Sequence, residues 1–510
     1  MKYFVNREAE LTLIDDATEA LLDKQRLLRT PIVEFYGVEG IGKTTLLLEV
    51  EERCRVKQLE CLWAGPKGQT VDQCFSEARR VLEGKKPVVV ILDALDTANK
   101  EQLQGIETGL HNLIEESKLF VVLASRKIER FDNIRSIARK LMPFPLQPLK
   151  RESCNTYFES IGIINLEIRD IIFDWTRGYP LAMQVMVKAI QQQQLDPREE
   201  QDKNQLISII REEVIDKTLL ARVSSSELPW YHKMLTLLSV PRRFNLVIMQ
   251  DVIERFAREY KFDSSLEYIT LPNRINQPGE VLIWNITRSG YSIDAPIRNL
   301  FLIKLKIEEI HRYREVHEFL AHLNERYAKE VTGSDRIHYL QEFFYHKANS
   351  GNVEDLPSIL THYVEQIIQE ESFETFIQFS EEFSGDKELR EALGDNANIV
   401  LTLIHRNFAK MYARLVPGAS AIDRIRYLRD FFSQTARDPY TGDFAHIFEQ
   451  DMQHIIEEVP GEVAVILLDQ LLQDEEIKAL LGQEYERIAG QLRSTLAQER
   501  TDGYVDSTDY

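Results

Sequence analysis

The stretch EFYGVEGIGKTTLLLEV, Glu34–Val50, decides how this chain is read. From Gly37 to Thr44 it fits the pattern G-x-x-x-x-G-K-[ST]. Val33–Tyr36 has the character of a strand and Thr44–Val50 that of an opening helix, the setting a phosphate-binding loop requires. Gly37, Gly40 and Gly42 open backbone conformations that residues with side chains avoid. Amide N–H groups can then turn toward a phosphate, and the helix N-terminus adds partial positive charge. On this reading Lys43 reaches the β- and γ-phosphates of a nucleotide. The Thr44 hydroxyl coordinates Mg²⁺, and Thr45 completes the nucleotide-binding set.

Such a loop needs a second element, an apolar strand ending in an acid that holds the Mg²⁺. VVVILDALD, Val88–Asp96, supplies it. Asp93 at the strand end is the expected metal residue. Asp96, three residues on, is the candidate that positions the attacking water. An Asp after a strand also serves as a turn or helix cap, which is the plainer reading of either residue taken alone. The next apolar run ends VVLASRKIERF, with Arg126 directly after Ser125. At the carboxyl edge of a parallel sheet, where ligands bind, its guanidinium can neutralise γ-phosphate charge. The alternative is an ordinary surface arginine in a basic loop with Lys127 and Arg130.

Outward from these motifs, PIVEFYG (31–37), LECLWAG (59–65), PVVVILD (87–93) and LFVVLAS (119–125) read as strands. Three are apolar almost throughout, as strands buried on both faces of a parallel sheet must be. Helical patterns at Leu46–Val56, Val71–Leu82 and Glu101–Glu116 alternate with them, which predicts an α/β layered domain. After about Pro148 the pattern is helical. One interruption, at 269–301, holds Pro, Gly and Asn turns around two β-like pieces, Val281–Ile286 and Tyr291–Ile293. With helices on either side, it suggests a winged-helix unit over about 225–310. An internal echo links ERYAKEVTGSDRIHYLQEFF (325–344) with KMYARLVPGASAIDRIRYLRDFF (410–432), the mark of a repeated helical hairpin.

Composition bounds the functions. A chain of 510 residues is too long for one ordinary domain. Its N-terminus has no apolar signal core, and no run is long enough to span a membrane, so a cytoplasmic protein is expected. Cys54, Cys61, Cys74 and Cys154 show no C-x-x-C spacing and read as free thiols of a reducing compartment. The formal net charge of −20 is uneven: Gly351–Val400 carries twelve acidic and two basic residues. That segment is a poor surface for nucleic acid. It reads as solvated helix faces or as a dock for a basic protein partner.

Four further pieces match one family. FVNREAEL (4–11) resembles the N-terminal F-[VI]-G-R-E-x-E-L motif of the STAND-type signalling ATPases and related AAA-like modules, with Asn6 where Gly is usual. ILDALD resembles their extended acidic motif, LASR their sensor arginine, and TRGYPLAMQVM (176–186) the G-x-P-L-A motif of their helical lid. The resemblance covers about residues 1–350. It implies that Arg7 borders the adenine pocket, that Pro180 packs near the base, and that a winged helix follows the lid. Two departures stand out. Ala94 follows Asp93 where many hydrolysing relatives carry Glu, and Ile293, Asp294 and Ala295 replace a Met-His-Asp motif whose His contacts ADP. No effector constellation is legible; the histidines lack H-E-x-x-H or similar spacing.

The expected architecture is a multidomain α/β + α chain. A P-loop parallel-sheet domain covers 1–148, a helical lid 149–224 and a winged helix 225–310. An all-α, repeat-like C-terminal domain covers 311–500, with a frayed tail at 501–510. The leading expectation is an ATP/ADP-gated switch with slow Mg²⁺-dependent hydrolysis, ATP-dependent homo-oligomerisation and a protein partner on the C-terminal helices. A DNA-associated ATPase using Arg288, Arg298, Lys304 and Lys306 near the wing, and a scaffold that keeps nucleotide without cycling, are the alternatives. The net charge argues against nucleic acid.

Overall fold

The computed structural model describes residues 7–23, 28, 30–65, 69–95, 98–113, 118–128, 131, 135–278, 281–285, 290–351, 355–401, 403, 445, 448–449, 452–453, 456 and 461–502. Two compact units result, Met1–Ile310 and His311–Tyr510.

The first unit opens with α1 (Glu8–Leu22), β1 (Ile32–Tyr36), α2 (Lys43–Val56), β2 (Glu60–Ala64) and α3 (Val71–Glu83). Then come β3 (Val88–Leu92), α4 (Lys100–Leu113), β4 (Leu119–Ser125), α5 (Arg135–Lys140) and β5 (Leu141–Pro145). The five strands form one parallel sheet in the order β2-β3-β4-β1-β5. β3 and β4 are buried at every position, and the two-residue period divides their side chains between two cores. Val88, Val90, Leu92, Leu119, Val121 and Leu123 share a cluster with Phe75 and Ala78 of α3 and with Ile106 and Leu110 of α4. The alternate residues, including Val89, Ile91, Phe120 and Val122, are equally dry. Hence these strands carry no polar face.

β5 is a strand the sequence did not announce. Its segment, LMPFP, holds Pro143 and Pro145, which cannot donate to a ladder on both sides. The sheet order resolves this by placing β5 at the edge, paired to β1 alone from Ile32↔Leu141 to Tyr36↔Pro145.

Helices α6 (Arg151–Ser160), α7 (Leu166–Thr176), α8 (Pro180–Gln193) and α9 (Glu200–Ile210) follow, and α9 runs into a nine-residue π-helix, Arg211–Leu219. Next come α10 (Leu228–Leu238), α11 (Leu246–Phe256), α12 (Ser265–Asn276), an antiparallel pair β6 (Leu282–Asn285) and β7 (Gly290–Ile293), and α13 (Ala295–Ile307). Phe244 pairs with Tyr291 on the other side of β7. The two β-like pieces are therefore real. The turn character expected from residue 269 is not: Ile269–Asn276 is helical, with Pro272 buried inside α12. Asn299 of α13 donates to the carbonyls of Asp174 (2.9 Å) and Trp175 (2.7 Å) near the end of α7, which ties α13 to the preceding helices.

The second unit is helical where described: α14 (Ile310–Glu330), α15 (Gly333–Asn349), α16 (Leu356–Glu370), α17 (Phe373–Gly385), α18 (Lys387–Leu393), α19 (Gly461–Gln473), α20 (Glu475–Leu481) and α21 (Tyr485–Asp502). Phe343, Phe344, Phe376, Phe379 and Phe383 anchor its core. The first copy of the echo falls on α14 and α15, and the second, 410–432, lies outside the described residues. Part of the acidic character of 351–400 is structural: Glu370 and Glu371 hold Arg336 at 2.7 and 3.0 Å. Among the described residues, no helix is long and apolar enough to cross a membrane. All four cysteines are free thiols. Burial pushes Cys74 up to about 11 and Cys154 up to about 12, which keeps both as unreactive thiols at neutral pH.

Candidate nucleotide site

The sheet order brings the motifs together. β1 lies beside β4, and β4 beside β3. All run the same way, so the glycine loop after β1, Asp93 after β3 and Arg126 after β4 emerge at one edge. The first loop amide is fixed there, since Gly37 N donates to Ser125 O at 3.2 Å.

Lys43 begins α2, with Gly42 as its left-handed N-cap. The Lys43 ammonium donates to the carbonyls of Gly37 (2.6 Å) and Val38 (3.0 Å), so it lies across the loop it belongs to. Thr44 Oγ1 donates to Asp93 Oδ2 at 3.1 Å. Asp93 Oδ1 in turn accepts from the Ala94 amide at 2.9 Å, with Ala94 in the left-handed region at φ 57°. Two hard oxygen donors at hydrogen-bond separation suit a shared Mg²⁺, which keeps much of its shell as water and phosphate. Among the described residues no group of three or more His, Cys, Asp or Glu is placed to hold a metal, so protein ligands alone would not fill that shell. Thr45 is exposed one position further along α2. Asp96 lies outside the described residues.

Arg126 is only 15% exposed and pairs with Glu39 of the glycine loop, Nη2 to Oε2, at 2.5 Å. Beneath it, Ser125 Oγ donates to the buried carboxylate of Glu34 at 2.7 Å, linking β4 to the centre of β1. The basic loop of the alternative reading therefore has at least one arginine turned inward.

Pro180 sits at the first turn of α8, where its missing N–H costs nothing. The residues around it reach the glycine loop. The Tyr179 hydroxyl, fully buried, donates to the Glu39 carbonyl. A Cβ at Gly40 (φ +83°) would stand 2.6 Å from that hydroxyl and 2.8 Å from Leu181 Cβ, so only glycine fits. Burial, and the neighbouring charges of Glu39 and Asp294, push the Tyr179 hydroxyl up, which keeps it a donor. Asp294, at the place of the missing histidine, is thus electrostatically coupled to the loop's cover. Burial pushes its own carboxyl up.

Arg7 is 5% exposed, at φ 98°. It donates to the carbonyls of Gln147 (2.6 Å) and Ile41 (3.0 Å) and pairs with Glu10 at 3.2 Å. Burial works against its charge and Glu10 works for it. The structure thus puts Arg7 against the back of the glycine loop through Ile41. Of the cations near β6 and β7, Arg298 is buried, Lys304 pairs with Glu309 at 3.2 Å, and Lys306 donates to Asn299 at 3.2 Å. Arg288 lies outside the described residues.

Three residues of the site were missed in the sequence: Glu34, Glu39 and Tyr179. Glu34 could have been noticed as the lone charge in an apolar strand. Glu39 occupies a position that the loop pattern leaves open, and Tyr179 occupies the open position of a motif defined by its glycine and proline. Nothing local marks either as a contact of the other.

The fold and site define a P-loop ATPase domain followed by helices. The model of the family "ATPase family associated with various cellular activities (AAA)" matches residues 33–142, the span from β1 into β5. No curated protein matches the chain. Similar solved structures include CDC6P from Pyrobaculum aerophilum (13% identity, TM-score 0.31, covering 60% of this chain and 96% of that one). A STAND protein with a tetratricopeptide repeat sensor from Pyrococcus horikoshii is similar over 99% of this chain and 78% of its own (13% identity, TM-score 0.28). The Aeropyrum pernix ORC1 protein, solved in complex with DNA, is similar over 59% and 93% (14% identity, TM-score 0.33). At these scores the likenesses are distant, and what the site can do rests on its own residues. The expectation that nucleic acid is not a partner rests on the net charge alone, and these likenesses neither support nor oppose it.

Proposed function

We propose that the chain is a nucleotide-gated switch of the STAND type that binds ATP or ADP with Mg²⁺. The observation that carries this reading is the junction at Glu39, where the glycine loop meets Arg126 through a side chain and Tyr179 through the backbone. A candidate sensor of the terminal phosphate and the start of the proposed lid helix α8 are joined at one loop residue. Lys43, Thr44 and Thr45, with Gly37, Gly40 and Gly42, would bind the phosphates. Thr44 and Asp93 would hold Mg²⁺, which supplies charge neutralisation when bound. Arg126 would distinguish tri- from diphosphate, and Asp96 would orient water. Arg7 and Pro180 would border the base.

In this reading 1–148 is the ATPase domain, 149–224 the lid, 225–310 a winged helix, 311–500 a partner-sensing helical domain and 501–510 a tail. The helix–hairpin–helix order of α10–α13, with Phe244 pairing to β7, supports the winged helix. Ala94 after Asp93 supports slow hydrolysis, since no carboxylate stands at that position. The test is light scattering of the purified chain in ATP·Mg²⁺, in ADP and in a non-hydrolysable ATP analogue, with phosphate release followed alongside. Growth to a defined oligomer only with ATP or its analogue supports the switch. Unchanged size with no release favours a nucleotide-bound scaffold. A salt-sensitive shift of labelled duplex would instead favour a DNA-associated ATPase.

A further inference from the structure

Glu39 is one of the positions the phosphate-loop pattern leaves open, and the pattern gives it no part in binding. Its surroundings do. Its carboxylate holds the guanidinium of Arg126 at 2.5 Å, and its carbonyl accepts the hydroxyl of fully buried Tyr179. That second bond fixes the Glu39 peptide, and Gly40 packs against the same hydroxyl with no room for a side chain. The carboxylate is thus held where Arg126 emerges from β4.

We propose that Glu39 is an intrinsic anionic competitor for Arg126 and so sets the preference of the site for nucleoside triphosphate over diphosphate. The proposal rests on the phosphate-loop reading. One guanidinium cannot give its full donor set to two anions. A terminal phosphate that engages Arg126 must take it from Glu39, or share it with a carboxylate of like charge. A diphosphate lacks that phosphate and leaves the pair intact. Glu39 therefore handicaps ATP and not ADP. The plainer account is a half-exposed ion pair of little consequence, since Glu39 is 41% exposed and its pairing is screened. Stability cannot separate the two accounts, because both predict a small change. Nucleotide discrimination can.

The experiment is titration calorimetry of the full chain with ATP·Mg²⁺ and ADP·Mg²⁺, comparing wild type, E39Q, E39D, R126A and the E39Q/R126A double variant. E39Q keeps the shape and removes the charge. It should tighten ATP by about tenfold, the scale of a charged hydrogen bond exchanged, and leave ADP within about twofold. E39D, which retains the carboxylate, should return the ratio toward wild type. In the R126A background E39Q should no longer change the ratio. An unchanged ATP:ADP ratio in E39Q overturns the proposal, as does an equal shift with and without Arg126. Either result leaves the phosphate loop standing. Absence of nucleotide binding by the unaltered chain overturns the loop reading and the proposal together.

Discussion

At the scale of single residues, Lys43 and Asp294 show two ways in which a charge is used. The Lys43 ammonium spans the carbonyls of Gly37 and Val38, so it is aimed into the loop rather than along the helix surface. Lys43→Ala should abolish ATP binding while leaving the melting temperature nearly unchanged, since the residue is partly exposed and anchors no core; equilibrium dialysis with labelled ATP and a thermal melt check both halves. Asp294 is the opposite case. Burial raises its carboxyl above the unfolded value, so the folded state binds its proton more tightly than the unfolded chain does. Between the two values the native form holds more protons, so stability from this group falls as pH rises and is restored as pH falls. Asp294→Asn should therefore raise the melting temperature at pH 7, and the gain should shrink as pH falls toward the ordinary carboxyl value of about 3.9 and vanish below it. A change in melting temperature that does not depend on pH would show that packing, and not charge, governs the site.

At the scale of elements, the glycine loop is held between a strand and a helix start by contacts that its motif does not specify. Gly40 takes φ +83° and lies against Tyr179 and Leu181, both flanking Pro180 at the start of α8. Gly40→Ala should cost about 1–3 kcal/mol, from backbone strain and from forcing the α8 start off the loop. Denaturant unfolding measures the loss. Tyr179→Phe, which removes the hydroxyl without adding volume, should cost about 1 kcal/mol, because the Glu39 carbonyl loses its buried donor. Arg126→Ala should reduce discrimination between ATP and ADP, read from the two dissociation constants. Equal discrimination would leave Arg126 only its structural pairing with Glu39. Elements also show where local patterns mislead. β5 is hidden by its two prolines, which its place at the sheet edge tolerates, and α12 by Pro272, which lies on the buried side of that helix with Tyr268, Leu271 and Ile275.

At the scale of the whole molecule, apolar runs alternating with helical patterns were enough to give a parallel α/β sheet, because strands dry on both faces have no polar positions to hide their identity. The glycine loop was legible for a related reason: its chemistry is local, with glycines, lysine and threonine in one short span. Asp93 and Arg126 were legible as strand-end residues. That they share an edge with the loop followed only once β4 lay between β1 and β3. The Glu39–Arg126 and Tyr179–Glu39 contacts join residues 87 and 140 positions apart, and no periodicity or spacing encodes such a meeting. The sequence by itself determined the helix and strand character of most segments and the phosphate-binding loop, since backbone propensity and loop chemistry act over a few residues. The tertiary structure alone decided that a glutamate in that loop would hold the arginine and accept the tyrosine, because only packing of distant segments brings those groups within hydrogen-bond reach.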